Sequence, residues 1–213
     1  VLSDLNSHEV QILFTRILRD SLGKPKFESH KFQVNSEHYF YPASTVKLPV
    51  AILALQKIRK LQSQGIPITP DTPFTVLFSE NIIKKTDTTH PNNKLTIAHL
   101  IKKIFLVSDN TAYNYLFDFI GRDDANKAIH SIGIPNFKLS HKFSDSETQN
   151  STPHFIFFNQ KGDTIYNQAP IISNQKIKNT HLKGVLKGKR YVKDGTVIEQ
   201  SMDFSKKNYQ TII

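Results

Sequence analysis

No cysteine occurs among the 213 residues. Disulfides, thiolate catalysis and cysteine-ligated zinc are therefore excluded, although this absence assigns no compartment. Glycine is sparse, with eight spread along the chain and none arranged as a phosphate-cradling loop. The nine histidines show no His-Glu-x-x-His or other ligand spacing, and there is no Gly-x-Ser-x-Gly. These absences argue against a metallo-hydrolase and a Ser-His-Asp esterase, and no metal or other cofactor is expected. Long apolar runs are also missing. The longest, Leu48 to Leu55, contains Pro49 and is far shorter than the roughly 18 residues that cross a bilayer, so no transmembrane segment is expected. The chain opens Val1-Leu2, without an initiator Met or a basic-then-apolar leader. It is expected to be a processed or trimmed piece from which any export signal has been removed.

Acidic residues are the minority, 18 against 28 Lys and Arg, for a net charge of +10. Such a balance favours polyanions: nucleic acid, anionic headgroups or wall polymers. The cations are densest from Lys176 to Lys193, where they alternate with Leu, Val and Tyr. No stacking-aromatic pattern or nucleic-acid motif accompanies them, so this stretch reads as a solvated basic face and no nucleic-acid partner is expected. The 38% hydrophobic and 22% charged fractions belong to a globular chain. A chain of this size buries roughly 70% of its unfolded surface, enough for one substantial core or two small lobes.

What is present falls into three stretches. Residues 9–17 are β-branched and aromatic-rich and read as a strand. Gly23 and Pro25 then mark a turn, and 27–34 read as the partner strand. A helix is expected from Ser44 to about Gln62, with Pro49 in its first turn and a break at Gly65. Its first half, Ala51 to Leu55, is apolar all round and predicts burial on every side. Residues 66–94, with Pro67, Pro70, Pro73 and Pro91, predict loops with one short helix or strand. Thr96 caps a helix whose apolar positions are Ile97, Leu100, Ile101 and Ile104. After a break at Val107–Asn110, a helix from about Thr111 ends at Gly121, and another runs from about Arg122 to Ile132. Beyond Asn136 two hairpins are expected, 155–158 with 164–166 and 190–192 with 196–198. The order is strands, helices, strands.

Two motifs carry chemistry. Ser44-Thr45-Val46-Lys47 puts a hydroxyl and an amine three residues apart at the start of the long helix. Positions i and i+3 share a helix face, so Lys47 is expected to reach the Ser44 oxygen and activate a serine without a histidine. At a helix N-terminus the Ser44 N–H is free to help bind an oxyanion. The bland alternative is that Ser44 is an N-cap and Lys47 a surface lysine. The second motif, Ser108-Asp109-Asn110, lies at the break between two helices. It can project a hydroxyl and an amide into a cleft, or simply cap the next helix through Asp109.

Taken together, Tyr41-Pro42-Ala43-Ser44-Thr45-Val46-Lys47 and the stretch from Leu95 through Ser108-Asp109-Asn110-Thr111-Ala112-Tyr113-Asn114 to Gly121 resemble the penicillin-recognising serine hydrolases, class A β-lactamases most closely. The resemblance covers roughly residues 9–135. It implies an α+β fold in which a helical lobe is inserted into an antiparallel sheet lobe. The chain is expected to form a single catalytic domain over 1–213, with N-terminal strands in 9–43, the helical lobe in 44–135 and a divergent loop and hairpin region in 136–213. By position, the resemblance makes Ser44 the acylated nucleophile and Lys47 its proton acceptor or part of a relay. Ser108 passes the proton to the leaving nitrogen, and Asn110 hydrogen-bonds the substrate's amide side chain. It also implies extracytoplasmic placement.

Two family elements are not found cleanly. The glutamate that activates the deacylating water has only Asp145 and Glu147 as candidates between Lys138 and Asn150, and neither is followed four residues later by Asn. Without such a base, acylation could proceed while hydrolysis of the acyl-enzyme is slow. Lys193-Asp194-Gly195 has the outline of the family's Lys-Thr/Ser-Gly but reads as a hairpin turn. The expectation is that the true equivalent follows Ile213 and that the sheet is incomplete within this stretch. The sequence therefore predicts a serine hydrolase of a β-lactam or a wall-peptide amide. The alternatives are a penicillin-binding peptidase-like enzyme with slow deacylation, or a silent module binding wall or surface polymers through 176–193.

Overall fold

The computed structural model describes Leu5, residues 10–35, 42–79, 82–139, 142–143 and 150–174, and short strand segments between 186 and 203. The fold is mixed α+β, with four α-helices and antiparallel sheets among these residues. The chain divides into two compact units, 1–41 and 42–213.

The first unit is a hairpin. β1 (Ile12–Arg19) pairs antiparallel with β2 (Pro25–Phe32), placing Ile12 opposite Phe32 and Ile17 opposite Phe27. Asp20 closes the turn, its carboxylate accepting from the backbone N–H groups of Leu22 and Lys24.

The second unit is built on helices. A 3-10 turn, Ala43–Val46, leads directly into α1 (Lys47–Ser63). The expected helix therefore begins with a tighter turn, and regular α-geometry starts only at Lys47. Pro49 lies in the first α-turn, where its missing N–H is not needed. The expectation of burial on every side is corrected. Val50, Ala51, Leu53, Ala54 and Ile58 are buried, whereas Leu48, Ile52 and Leu55 are exposed.

β3 (Phe74–Ser79) and β4 (Ile82–Lys84) form two strands where one short element was expected. α2 (Ile97–Leu106) starts as its sequence predicts: the Thr96 hydroxyl accepts from His99 N, and Ile97, Leu100 and Ile104 are buried. α3 (Asn110–Ile120) is capped by Asp109, whose carboxylate accepts from Ala112 N. It stops at Gly121, whose φ of +90° is strained for any other residue. A side chain there would also crowd Ile171, since a Cβ would lie 3.2 Å from it. α4 (Arg122–Ser131) follows, with Asp123 and Asp124 favourably placed at its positive end.

β5 (His154–Phe158) and β6 (Thr164–Gln168) form the expected hairpin and complete a sheet of order β4-β3-β5-β6. Phe155 and Phe157 alternate inward on β5 and meet Phe119 of α3, with ring centres 5.8 and 5.5 Å apart. Phe74 of β3 completes the cluster, 5.0 Å from Phe157. Each such ring contributes about 1.5–3 kcal/mol by burial, so this cluster fixes α3 on the sheet and holds the helical lobe that carries the motifs. Farther along, β7 (Leu186–Lys187) pairs with β10 (Met202–Asp203), and β8 (Arg190–Tyr191) pairs with β9 (Val197–Glu199). The strands of the second expected hairpin thus pair, while its Lys193-Asp194-Gly195 turn and most of the basic 176–193 stretch lie outside the described residues.

Candidate active site

The two motifs, far apart in sequence, meet in the second unit. Ser44 is exposed in the 3-10 turn, and Lys47, one turn on, is buried, only 3% exposed. The Lys47 amine donates to three oxygens of the Ser108–Asn110 loop: the Ser108 carbonyl, Ser108 Oγ at 2.8 Å and Asn110 Oδ1 at 2.8 Å. Ser108 Oγ in turn donates to Ser44 Oγ at 3.1 Å. The expected direct Lys47–Ser44 contact is therefore replaced by a chain through Ser108. Starting the α-helix at Lys47 turns the lysine toward the loop, and the loop's serine closes the gap.

Burial lowers the Lys47 amine below its ordinary value, and the Asp109 carboxylate works against that shift. A lysine so placed loses its proton more readily than a solvated one, as a base must. The neighbouring backbone is strained in two places. Ala43, just before Ser44, has φ of +47°, and Ser108 has φ of +53°. Each such non-glycine residue costs about 1–3 kcal/mol and persists only where its surroundings over-determine it. At Ser108 those surroundings are the Lys47 bond to its carbonyl and the Asp109 cap on α3.

One wall of the site was not anticipated. Phe143 lies over Lys47, with the amine 5.1 Å from the ring centre. Its position is set by Asn114 on α3, which accepts from Phe143 N and donates to Phe143 O, both at 2.8 Å. Lys142 adds a bond to Asp118, and Asn126 of α4 clamps Leu139 earlier in the same segment. The only sequence signal for this wall was the pair of side-chain amides, Asn114 and Asn126, on the inward faces of two helices. Asp145 and Glu147, the candidate deacylation bases, lie outside the described residues. No group of three or more potential metal ligands is found among the described residues, and no helix among them is long and apolar enough to cross a membrane.

Residues 8–169 match the family model Beta-lactamase2, described as the β-lactamase enzyme family. No curated protein matches the chain.

Proposed function

Since the chain belongs to the β-lactamase enzyme family and is a hydrolase of the serine β-lactamase kind, we propose that it acts by acyl transfer through Ser44 in the class A manner. The observation that carries this reading is the chain Ser44 Oγ, Ser108 Oγ, Lys47 Nζ, linked at 3.1 and 2.8 Å. With the Lys47 amine neutral, Ser44 Oγ attacks the substrate's amide carbonyl carbon. Its proton passes to Ser108 Oγ while the Ser108 proton passes to Lys47. The C–N bond then breaks, and the proton held by Lys47 returns through Ser108 to the leaving nitrogen. Asn110, bonded to the Lys47 amine, is the group proposed to meet the substrate's amide side chain. The substrate class is a β-lactam or a cell-wall peptide amide, met outside the cytoplasm.

Hydrolysis of a β-lactam is the first reading. A second, a penicillin-binding enzyme with a long-lived acyl-enzyme, is favoured by one observation. Neither Asp145 nor Glu147, the acids available to activate a deacylating water, is followed four residues later by Asn. Incubation with a fluorescent penicillin tests both readings. Labelling or drug hydrolysis that is lost in Ser44→Ala supports acyl transfer; either one surviving this change, or neither one in the unaltered chain, sinks it. The label's lifetime separates the two: rapid loss indicates a β-lactamase, persistence the peptidase-like enzyme.

A further inference from the structure

Lys103 takes no part in the proton path, yet it touches the loop that does. It lies on the last turn of α2, and its amine sits between two carboxylates, 2.9 Å from Asp87 Oδ2 and 3.3 Å from Asp109 Oδ2. Its carbonyl also accepts from Asp109 N at 3.4 Å. Asp109 is thus held by Lys103 through both backbone and side chain, while its other carboxylate oxygen caps α3 at 2.7 Å. Asp109 stands between the two residues that grip the Lys47 amine, Ser108 and Asn110.

From this geometry we infer that Lys103 is a positioning residue for the reaction at Ser44, holding Asp109 and the Ser108–Asn110 loop on Lys47, and that Asp87 competes with Asp109 for its charge. The inference rests on the acyl-transfer reading above. Asp87 is a strong competitor. It is buried, and it accepts from Thr89 N at 3.0 Å and Thr89 Oγ1 at 2.6 Å besides Lys103. These bonds hold its carboxyl well below the usual carboxylate range against the opposing effect of burial. The other charged or titratable groups around this network are His99 and Lys102 on α2, His90 in the connection before it, and Tyr115 and Asp118 on α3. His99 lies 3.9 Å from Asp87, and burial holds its ring toward the neutral form. Facing Lys47 itself are Asp109 and the Phe143 ring.

The signs follow from Coulomb's law. Asp109 favours the protonated form of Lys47, and positive charge on Lys103 offsets Asp109. Removing the Lys103 charge therefore raises the pH at which Lys47 becomes a base. Removing the Asp87 charge leaves Lys103 to Asp109 alone and lowers it. A residue that only supported the fold would not give opposite signs at the two positions.

The test compares Lys103→Met, Lys103→Arg, Asp87→Asn and the double variant Asp87→Asn/Lys103→Met with the unaltered chain. Two readouts are taken: the pH dependence of acylation by penicillin, and the Lys47 titration followed by NMR of its labelled ε-carbon. Lys103→Met is expected to move the acid limb and the Lys47 titration upward by about half to one pH unit, about three- to tenfold in rate at fixed pH on the limb. Asp87→Asn is expected to move both downward, and Lys103→Arg to leave them in place. Should Lys103→Met not fold with Asp87 unpaired, the double variant removes that burden and is expected to lie above Asp87→Asn alone in both readouts. Absence of acylation in the unaltered chain, with the Lys47 titration moving as stated, overturns the acyl-transfer reading and leaves the coupling standing. Acylation with a Lys47 titration common to every variant overturns the coupling.

Discussion

The Lys47 amine faces the Phe143 ring, 5.1 Å from its centre, although the ring lies in the segment that follows the helical lobe. A cation over an aromatic face gains about 0.5–2 kcal/mol, but the ring also excludes water from that side of the lysine. Phe143→Ala is expected to leave acylation within a few-fold and to shorten the acyl-enzyme lifetime several-fold, as water reaches the carbonyl. Timed intact-mass spectra after a penicillin pulse measure it. An unchanged lifetime would show that the ring does not guard the acyl-enzyme.

Ser108 is the link between nucleophile and amine, at 3.1 and 2.8 Å. Ser108→Ala removes the relay and retains the backbone carbonyl that accepts from Lys47. The acylation rate is expected to fall by about 10²–10⁴, with the thermal midpoint shifted by only a few degrees. Stopped-flow acylation and calorimetry on the same sample separate the two effects. A rate within threefold of the parent, about 0.7 kcal/mol, would remove Ser108 from the path.

Lys47 must shed its proton to act. Burial lowers its pKa from the ordinary 10.5, so the acylation rate is expected to climb with pH through that lowered value. Lys47→Arg keeps a cation in place but cannot be deprotonated in this range. It is expected to show no acylation between about pH 6 and 9 by intact mass. An active arginine variant would mean that the residue acts by charge alone.

Lys57 provides a test on stability rather than catalysis. Its amine donates to the carbonyls of Phe119 and Ile120 at the end of α3. Burial pulls its pKa down to about 8, with Asp124 opposing and Lys60 adding to the shift. Between that value and 10.5 the unfolded chain binds more protons than the folded one, so the Lys57 contribution to stability rises with pH across the window. The melting temperature of the unaltered chain minus that of Lys57→Met is expected to increase from pH 7.5 to pH 10.5. A constant or shrinking difference would contradict the burial of a charge there.

Those elements governed by local chemistry were legible. Thr96 and Asp109 cap α2 and α3 where their sequences predict, because an N-cap bond reaches only to the N–H two or three residues on. The β5–β6 hairpin followed from the run 155–158, the polar turn Gln160-Lys161-Gly162-Asp163 and the strand residues 164–166. Exposure of Leu48, Ile52 and Leu55 was not legible, because composition tells how apolar a helix is and not which of its sides finds a partner. β3 and β4 were hidden by the surrounding prolines. Besides β4, β3 pairs with β5, many residues later. At the site, Ser44, Lys47, Ser108 and Asn110 were each legible as chemistry, but the order of contact was not. It depends on a 3-10 turn at Ala43–Val46 and a left-handed Ser108. The placement of Phe143 depends on the paired Asn114 bonds, a tertiary clamp in which the amide on α3 does not announce its partner.

The central claim is that Ser44 becomes acylated through Ser108 and Lys47. Its most direct test is peptide mapping after reaction with a penicillin, followed to the tryptic peptide that ends at Lys47. A β-lactam opens without losing its leaving nitrogen, so that peptide is expected to gain the full mass of the drug, on Ser44, and Ser44→Ala to gain nothing. An adduct on any other residue, or equal adduct in Ser44→Ala, would contradict it.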